Sequence, residues 1–210
     1  MTWNRLLLAV MAAVIVYLSY GLYEEKYRDR GRLAVIPRGD HVLLVWGTRV
    51  DVPMRARFQE AFDQWRERTG RFVIQLHSPG GSLREGRELI ELIERVKRTH
   101  RVDTFVAGGD ICASMCVPIY LQGQARVAGR DARFMFHEPY RLGGAELSRK
   151  SQPDWEQRGL SQRFFERYFV NSPMTPAWRE QLEKAWIGKD IWKTAQELSQ
   201  EKSGIVTELR

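Results

Sequence analysis

The chain has 210 residues, a mass of 24.5 kDa, and 33 Lys and Arg against 26 Asp and Glu, which gives a formal net charge of +7. Hydrophobic residues make up 43% and charged residues 28%, so the chain is neither disordered nor a linker. Two cysteines are too few for a disulfide scaffold or a four-thiolate metal site. The length allows one domain with appendages.

The first 23 residues are the most apolar part of the chain. Leu6–Tyr23 is interrupted only by Ser19 and Gly21, and a helix of this length would span about 27 Å, enough to cross a bilayer. A cleavable signal sequence is the alternative, although its apolar region is usually shorter. The pattern predicts an uncleaved, single-span membrane anchor over residues 1–23, followed by a linker over residues 24–40.

The side of the membrane on which the domain lies is not decided by the flanking charges. Four basic residues follow the span within residues 24–32, and only Arg5 and the amino terminus precede it. This asymmetry alone predicts a cytoplasmic domain, but long domains can be translocated despite such flanks.

The excess of basic residues does not indicate a nucleic-acid partner. Along residues 84–98 the arginines are interspersed with glutamates, which is typical of a solvated helix face with ion pairs. Nucleic-acid-binding surfaces instead cluster their cations. We therefore expect no binding of nucleic acid.

Residues 41–210 alternate between apolar runs of strand length and helical patterns. Val42–Trp46, Phe72–Leu76 and Thr104–Ala107 predict strands. Between the first two, apolar residues recur from Phe58 at i+3, i+4 and i+7, which predicts a helix, and a second helix precedes Thr104. The alternation predicts an α/β fold with parallel strands joined by right-handed crossovers.

Three segments carry residues suited to chemistry. In the turn after the second strand, Gly80 and Gly81 permit positive φ and close approach, so backbone amides there could face an oxyanion or an extended peptide. Ser114 lies between the third strand and an apolar segment, where a serine is either a nucleophile or a helix N-cap. His137 ends the apolar strand Phe134–Phe136 and is either a general base for Ser114 or a structural histidine.

These segments, in this order and spacing, resemble those of the proteolytic subunit of Clp protease and its relatives with the ClpP/crotonase fold. Residues 78–81 resemble the family's Ser-Pro-Gly-Gly turn, residues 113–115 its nucleophile segment, and residues 135–139 its Met-Ile-His-Gln-Pro segment. Residues 190–198 are similar to its Asp-x-Phe-x-Ser-Ala-x-Glu-Ala stretch. The resemblance extends over roughly residues 40–205.

The resemblance implies a ClpP/crotonase-like repeated β-β-α superhelix over residues 41–210 and a membrane-anchored serine peptidase. The implied catalytic triad is Ser114, His137 and Asp190. The implied oxyanion hole consists of backbone N–H groups, those of Met115 and of Gly80 or Gly81. A peptide or unfolded protein would be the substrate, with no cofactor and no metal. Because the chain has no segment that resembles an ATPase, any ATPase or adaptor would be a separate protein.

The chain departs from the family pattern around the proposed site. His77 stands where the family has Asn, and Cys112 and Cys116 flank the serine where the family has small residues. One helical turn brings two Cα atoms to about 6 Å, within disulfide range, although parallel side chains on a regular helix disfavour closure. A disulfide and a pair of buried thiols stay open, and so does a metal site with a histidine, although Cys-x-x-x-Cys is not the usual zinc spacing.

The Cys-Ala-Ser-Met-Cys arrangement is similar to that of uncharacterised periplasmic relatives of the protease. This similarity favours a single-pass protein of the bacterial inner membrane with a periplasmic domain, and an oxidised cysteine pair would fit that compartment. A domain on the cytoplasmic side stays the alternative.

Residues 160–169 contain an apolar stripe at helical spacing, formed by Leu160, Phe164, Tyr168 and Phe169. Such a stripe is typical of a core-facing helix. In the family the corresponding helix makes contacts between subunits, which implies a homo-oligomer. The alternative to a peptidase is a catalytically inactive ClpP-like module that binds a peptide or a partner at the membrane.

Overall fold

The structure is a computed structural model, and it describes residue 11, residues 33–139 and residues 154–210. The chain divides into two compact units, Met1–Arg32 and Leu33–Arg210, and all elements named below belong to the second. The predicted anchor over residues 1–23 lies outside the described residues, apart from Met11. No helix in the described ranges is both long enough and apolar enough to span a bilayer.

The elements of the second unit follow each other along the chain as strands with intervening helices. In order they are β1 (Ala34–Pro37), β2 (Val42–Trp46), α1 (Met54–Trp65), β3 (Arg71–Leu76), α2 (Leu83–Val96), β4 (Arg101–Val106), β5 (Ile111–Ala113), α3 (Cys116–Tyr120), β6 (Arg126–Ala128), β7 (Arg133–Phe136), α4 (Asp154–Phe165), a π-helix (Glu166–Val170), α5 (Pro176–Ala185), β8 (Ile191–Thr194), α6 (Ala195–Gln200) and β9 (Glu208–Leu209).

The main sheet has six strands in the order β1-β2-β3-β4-β6-β9. From β2 to β9 all neighbours are parallel, with Leu44 paired to Ile74 and Ile74 to Thr104. Parallel neighbours need a crossover, and α1 and α2 supply the first two. The predicted α/β class with parallel strands is therefore confirmed.

The domain begins earlier in the chain than the sequence analysis placed it. Ala34–Pro37, inside the predicted linker of residues 24–40, forms β1 and pairs antiparallel with β2, Ala34 lying opposite Val45. A four-residue edge strand that ends in proline has no periodicity long enough to be recognised, and its residues are only partly buried. The hairpin with β2 is what orders it.

The core lies between the main sheet and the helices. β2 buries alternate residues, and α1 packs Phe58 against Trp46 of β2, with ring centroids 6.1 Å apart, and Phe62 against Phe72 of β3, with ring centroids 4.9 Å apart. α2 begins at the N-cap Ser82, whose hydroxyl accepts from the Glu85 N–H at 3.2 Å, and buries Leu89 and Ile93. These contacts fix the loops that follow the parallel strands.

The apolar stripe of residues 160–169 runs from α4 into the π-helix. Phe164 and Phe169 are buried, as the sequence predicted, whereas Leu160 and Tyr168 are half-buried. Phe164 and Phe169 pack on Trp186, with ring centroids 6.1 and 5.9 Å from it. This aromatic cluster ties the π-helix to the chain just ahead of β8.

A second, three-stranded sheet has the order β5-β7-β8. β5 and β7 are parallel, with Ala113 paired to Met135, and β8 runs antiparallel to β7, with Phe136 paired to Ile191. The glycine turn after β3 joins this sheet through a bridge between Ser78 and Cys112. The small sheet carries the candidate site.

Candidate active site

The three predicted triad residues lie at the ends of the three strands of the small sheet. Ser114 directly follows β5, His137 directly follows β7, and Asp190 directly precedes β8. β8 is antiparallel to β7, so its first residue lies at the same edge as the last residues of β5 and β7. Residues separated by 23 and 53 positions in the sequence therefore meet at one sheet edge.

The strand register sets the spacing of the histidine and the aspartate. Phe136 is paired with Ile191, and one further step of the same register sets His137 opposite Asp190. Opposed residues of antiparallel strands have Cα atoms about 4.5–5.5 Å apart, close enough for an imidazole and a carboxylate to interact. On the other side of β7, the Ser114 N–H donates to the Met135 carbonyl at 2.9 Å.

Ser114 has a left-handed backbone conformation with φ of 54°. Residues with a Cβ seldom adopt this conformation, which costs about 1–2 kcal/mol, and it is enriched at functional sites. Here it turns the chain sharply between β5 and α3, where the Val117 N–H donates to the Ser114 carbonyl at 3.0 Å. The turn presents the Ser114 side chain at the sheet edge, where the residue is half-buried.

Burial differs among the three residues. His137 is 9% exposed, Ser114 is half-buried and Asp190 is exposed. A shielded imidazole at the same sheet edge as a half-buried hydroxyl fits proton transfer with limited competition from water. Water reaches Asp190 and weakens the field of its carboxylate.

The glycine turn lies directly against the serine. A Cβ on Gly80 would lie 2.6 Å from the Ser114 Cβ and 2.6 Å from the Ala113 carbonyl oxygen. Gly80 has φ of 87°, and its N–H donates to the buried Ser78 hydroxyl at 3.2 Å. Gly81, with φ of 152°, is equally crowded, because a Cβ there would lie 2.3 Å from the Val50 carbonyl oxygen. Only glycine fits at both positions.

Two backbone donors at this junction are not used for folding. The N–H groups of Gly81 and Met115 have no acceptor in the part of the chain that the structure describes. The Gly80 N–H is committed to Ser78, so of the two glycines Gly81 is the better oxyanion donor. The role of these groups as oxyanion donors stays a prediction. An oxyanion hole requires N–H groups that do not already donate to another acceptor.

Met115 is held by the first turns of α2. Its side chain is fully buried, and a Cβ on Gly86 would lie 2.4 Å from the Met115 Cγ. Gly86 therefore leaves the space that Met115 fills. The sequence offered no signal for this contact, because a glycine inside a helical pattern is simply a weak helix former.

Cys112 and Cys116 form a disulfide that encloses the nucleophile turn, with Cα atoms 5.2 Å apart. Both are fully buried, Cys112 at the centre of β5 and Cys116 at the start of α3. Because Cys112 lies in β5 and not on the helix, the parallel arrangement of side chains that would disfavour closure on a regular helix does not apply here. The alternatives of two free thiols and of thiolate metal ligands do not describe this structure. No group of His, Cys, Asp and Glu in the described ranges is arranged to bind a metal ion.

His77 lies exposed beside the glycine turn, where the sequence analysis placed it. Its Nδ1 is 2.9 Å from the Asp110 Oδ1, and the Ile111 N–H points at the same nitrogen from 3.3 Å. The His77 side chain therefore lies next to the start of β5, close to the candidate site.

Two carboxylates that sequence reasoning missed fix the segments around β8. The Glu138 Oε2 accepts from the Gly188 N–H at 2.7 Å, which joins the end of β7 to the turn before Asp190. At the far end of β8, the Thr194 N–H and hydroxyl donate to Glu197 at 2.6 and 2.8 Å. These bonds hold the pKa of Glu197 below its ordinary value. The spacing of Thr194 and Glu197 is a capping-box pattern from which Glu197 could have been predicted. No local pattern predicts the Glu138 contact, because its partner is 50 residues away.

The chain is similar to known proteins in two respects, its family and its fold. A family model described as Clp protease matches residues 63–208. A solved structure of a ClpP1 mutant from Listeria monocytogenes is similar with a TM-score of 0.62 and 19% sequence identity, covering 80% of this chain and 90% of that chain. At this identity the structural match shows a shared fold. No curated protein matches the chain significantly.

Proposed function

The chain belongs to the Clp protease family, and from this premise we propose that it is a serine peptidase of the ClpP type. The proposed triad is Ser114, His137 and Asp190. The observation that carries the proposal is the register of the small sheet. It brings the ends of β5 and β7 and the start of β8 to one edge, where these three residues lie. Family membership supports serine peptidase chemistry, and the strand register supports the choice of these three residues.

The reaction would proceed by acyl transfer. The Ser114 Oγ attacks the peptide carbonyl carbon while His137 removes the hydroxyl proton, which gives a tetrahedral oxyanion. When the C–N bond breaks, His137 gives that proton to the leaving amine and an acyl-serine ester remains. Water then attacks the ester, with His137 again taking and returning a proton, and the carboxylic acid product leaves Ser114.

The oxyanion would be stabilised by the N–H groups of Gly81 and Met115. Both are free of other acceptors in the described part of the chain, and both adjoin Ser114, one by sequence and one through the Gly80 contact. Preorganised donors of this kind typically contribute about 3–4 kcal/mol each to transition-state stabilisation. The buried Met115 side chain keeps its own N–H in place.

Asp190 would hold the tautomer of His137 and stabilise the imidazolium. The register of β7 and β8 supports this pairing, and the exposure of Asp190 weakens its effect. That exposure also favours a second candidate function, a catalytically inactive module that binds a peptide or partner at the membrane. Such a module would bind peptide without turnover.

We further propose an extended peptide or unfolded protein as the substrate. An extended chain could add as a strand beside the glycine turn, where backbone groups are available. With no ATPase segment in the sequence, short peptides or flexible tails are the expected substrates, and an ATPase or adaptor would be a separate protein. Self-association into a homo-oligomer is expected of a member of this family.

The membrane assignment is also part of the proposal. Residues 1–23 would anchor the chain in the bacterial inner membrane, with a shortened linker ahead of β1 and the peptidase domain beyond it. The Cys112–Cys116 disulfide supports a periplasmic domain, because such bonds persist in oxidising compartments. The test is to add a protease to spheroplasts. Digestion of the domain in intact spheroplasts would support a periplasmic domain, and digestion only after lysis would support a cytoplasmic one.

The experiment that tests the proposal is labelling of the oxidised protein with a fluorophosphonate probe. Wild type should react, and Ser114→Ala and His137→Ala should not, because an activated serine needs both residues. Ser199→Ala, at an exposed serine on α6, is the matched control and should react like wild type. Peptide binding without labelling of folded wild type would favour the inactive module instead.

A further inference from the structure

We infer that Glu138 is a positioning residue for Asp190, acting through the backbone of the turn that leads into β8. This inference rests on the proposed function, because it assigns Glu138 a role relative to the proposed triad. Glu138 follows His137 directly, and it contacts the chain two residues ahead of Asp190. It thus connects the segment that carries the base with the segment that carries the acid.

The contact is a charge-assisted hydrogen bond. The Glu138 Oε2 accepts from the Gly188 N–H at 2.7 Å, across 50 residues of sequence. Hydrogen bonds to an ionised carboxylate are shorter and stronger than those between neutral groups. The direction of the bond fixes the plane of the peptide group that precedes Gly188.

Gly188 lies at the bend of a tight turn. The Lys189 N–H donates to the Trp186 carbonyl at 3.1 Å, and Gly188 has φ of 65°. Positive φ at this position is typical of turns that reverse the chain within four residues. Asp190 comes two residues after Gly188 and β8 begins at Ile191, so the orientation of the turn decides where the Asp190 carboxylate lies.

Packing fixes the turn at its start but not at its middle. Trp186 is 3% exposed and its ring lies 5.1 Å from Phe165 and 5.9 Å from Phe169. Residues 187–190, by contrast, are exposed, so burial does little to orient them. Directional bonds therefore contribute more than burial to the orientation of this turn, and Glu138 supplies one from the His137 side of the site.

The test measures the titration of the His137 imidazole by NMR in the full chain, solubilised in detergent, with isotope-labelled histidine. The chain has four histidines, so the His137 signal is identified by its loss in His137→Ala. Asp190→Asn removes the charge of the residue that the register sets opposite His137 and should lower the titration midpoint by about one pH unit. This readout responds to the charge facing His137, and it does not require turnover.

Two substitutions of Glu138 separate positioning from direct charge effects. Glu138→Ala removes the acceptor for Gly188 and should lower the midpoint by about half as much as Asp190→Asn. Glu138→Gln removes the charge but keeps an oxygen that accepts from Gly188, so its midpoint should stay close to that of wild type. Glu138→Leu keeps the bulk without an acceptor and replaces the alanine variant if that variant does not fold.

A double variant and a control complete the design. In the Asp190→Asn background Glu138→Ala should cause no further shift, because it acts through Asp190. Glu183→Ala, at an exposed glutamate of α5, should titrate like wild type. The inference is overturned if Glu138→Gln shifts the midpoint as much as Glu138→Ala, if Glu138→Ala shifts nothing, or if its shift persists in the Asp190→Asn background.

Failure of this inference and failure of the proposed function give different results. An inactive chain would not react with the fluorophosphonate probe, whatever the titration of His137. A wild type that reacts, with a His137 midpoint unaffected by Glu138→Ala, would keep the peptidase and remove the role of Glu138.

Discussion

Gly80 lies so close to Ser114 that a Cβ on the glycine would come within 2.6 Å of the serine Cβ. The two residues belong to different strand ends, and each has a positive φ, 87° for Gly80 and 54° for Ser114. The glycine turn and the nucleophile turn are thus in direct contact. A substitution in one turn should therefore alter the conformation of the other.

Gly80→Ala should reduce both stability and serine reactivity. The added methyl group meets the Ser114 Cβ and the Ala113 carbonyl, and the backbone conformation disfavours a side chain. We expect a loss of about 2–3 kcal/mol in the free energy of unfolding, measured by urea denaturation, and fluorophosphonate labelling reduced at least tenfold. Gly47→Ala is the control, since a Cβ there has nothing within 4 Å. Equal behaviour of the two variants would contradict the contact.

Gly86→Ala should separate reactivity from stability. Alanine improves the helix by up to about 1 kcal/mol, which offsets part of the about 1–3 kcal/mol cost of overpacking against the buried Met115 side chain. It also displaces Met115, whose backbone N–H is the proposed oxyanion donor. We expect labelling of Ser114 to slow about tenfold while the melting temperature changes little. Gly159→Ala on α4, with only the end of the Arg163 side chain nearby, should leave labelling unchanged. Unchanged labelling in Gly86→Ala would argue against Met115 as a donor.

Removal of the disulfide should destabilise the domain modestly. Cys112 and Cys116 are four residues apart, and a loop of this size restricts the unfolded chain by about 2 kcal/mol in the chain-entropy model. A Cys112→Ala, Cys116→Ala double variant should therefore unfold at lower urea concentration than oxidised wild type. Reductant should shift the wild-type transition toward that of the variant and leave the variant unchanged. A variant that responds equally to reductant would show that the effect has another source.

Asp103 should contribute to the acid sensitivity of the fold. Its side chain is 1% exposed, and although burial works to raise its pKa, hydrogen bonds from the Ala125 N–H, Arg101 and Arg71 hold the pKa below its ordinary value. A lowered pKa means that this stabilisation is present above the unfolded-state pKa of about 3.9 and is lost as pH falls through the folded-state value.

The corresponding variant is Asp103→Asn. We expect it to be about 2 kcal/mol less stable than wild type at pH 7, because Arg71 and Arg101 lose their charged partner while both can still reach water. The difference should begin to narrow below about pH 4, because there Asp103 of the unfolded wild-type chain binds a proton while the lowered pKa of the folded state still resists protonation. Urea denaturation between pH 3 and pH 7 measures both quantities, and a difference that grows toward low pH would refute the assignment.

Three of the six strands of the main sheet, β2, β3 and β4, were predictable from the sequence because they have long apolar runs that alternate with helical patterns. The sequence placed β2 at Val42–Trp46, as observed, and the α1 helix around Phe58. Short elements were not predictable in this way. β5 has three residues, and β1 has four and ends in proline, so neither is long enough to show a recognisable alternation of apolar and polar residues.

The site was predictable only in part, for a different reason. Local motifs pointed to Ser114 and His137, but motifs do not show which strand ends become neighbours. The pairing of β7 with β8, the fit of Met115 against Gly86 and the bond between Glu138 and Gly188 join distant segments. Contacts of this kind depend on three-dimensional packing, and a single sequence carries no periodic signal for them.

The central claim is that Ser114 is an activated nucleophile, and site mapping of the covalent adduct tests it most directly. Oxidised wild type would be treated with a fluorophosphonate, digested, and analysed by mass spectrometry. The account predicts one adduct per chain, located on Ser114 and missing from His137→Ala. An adduct on another serine, or folded and oxidised protein without any adduct, would contradict it.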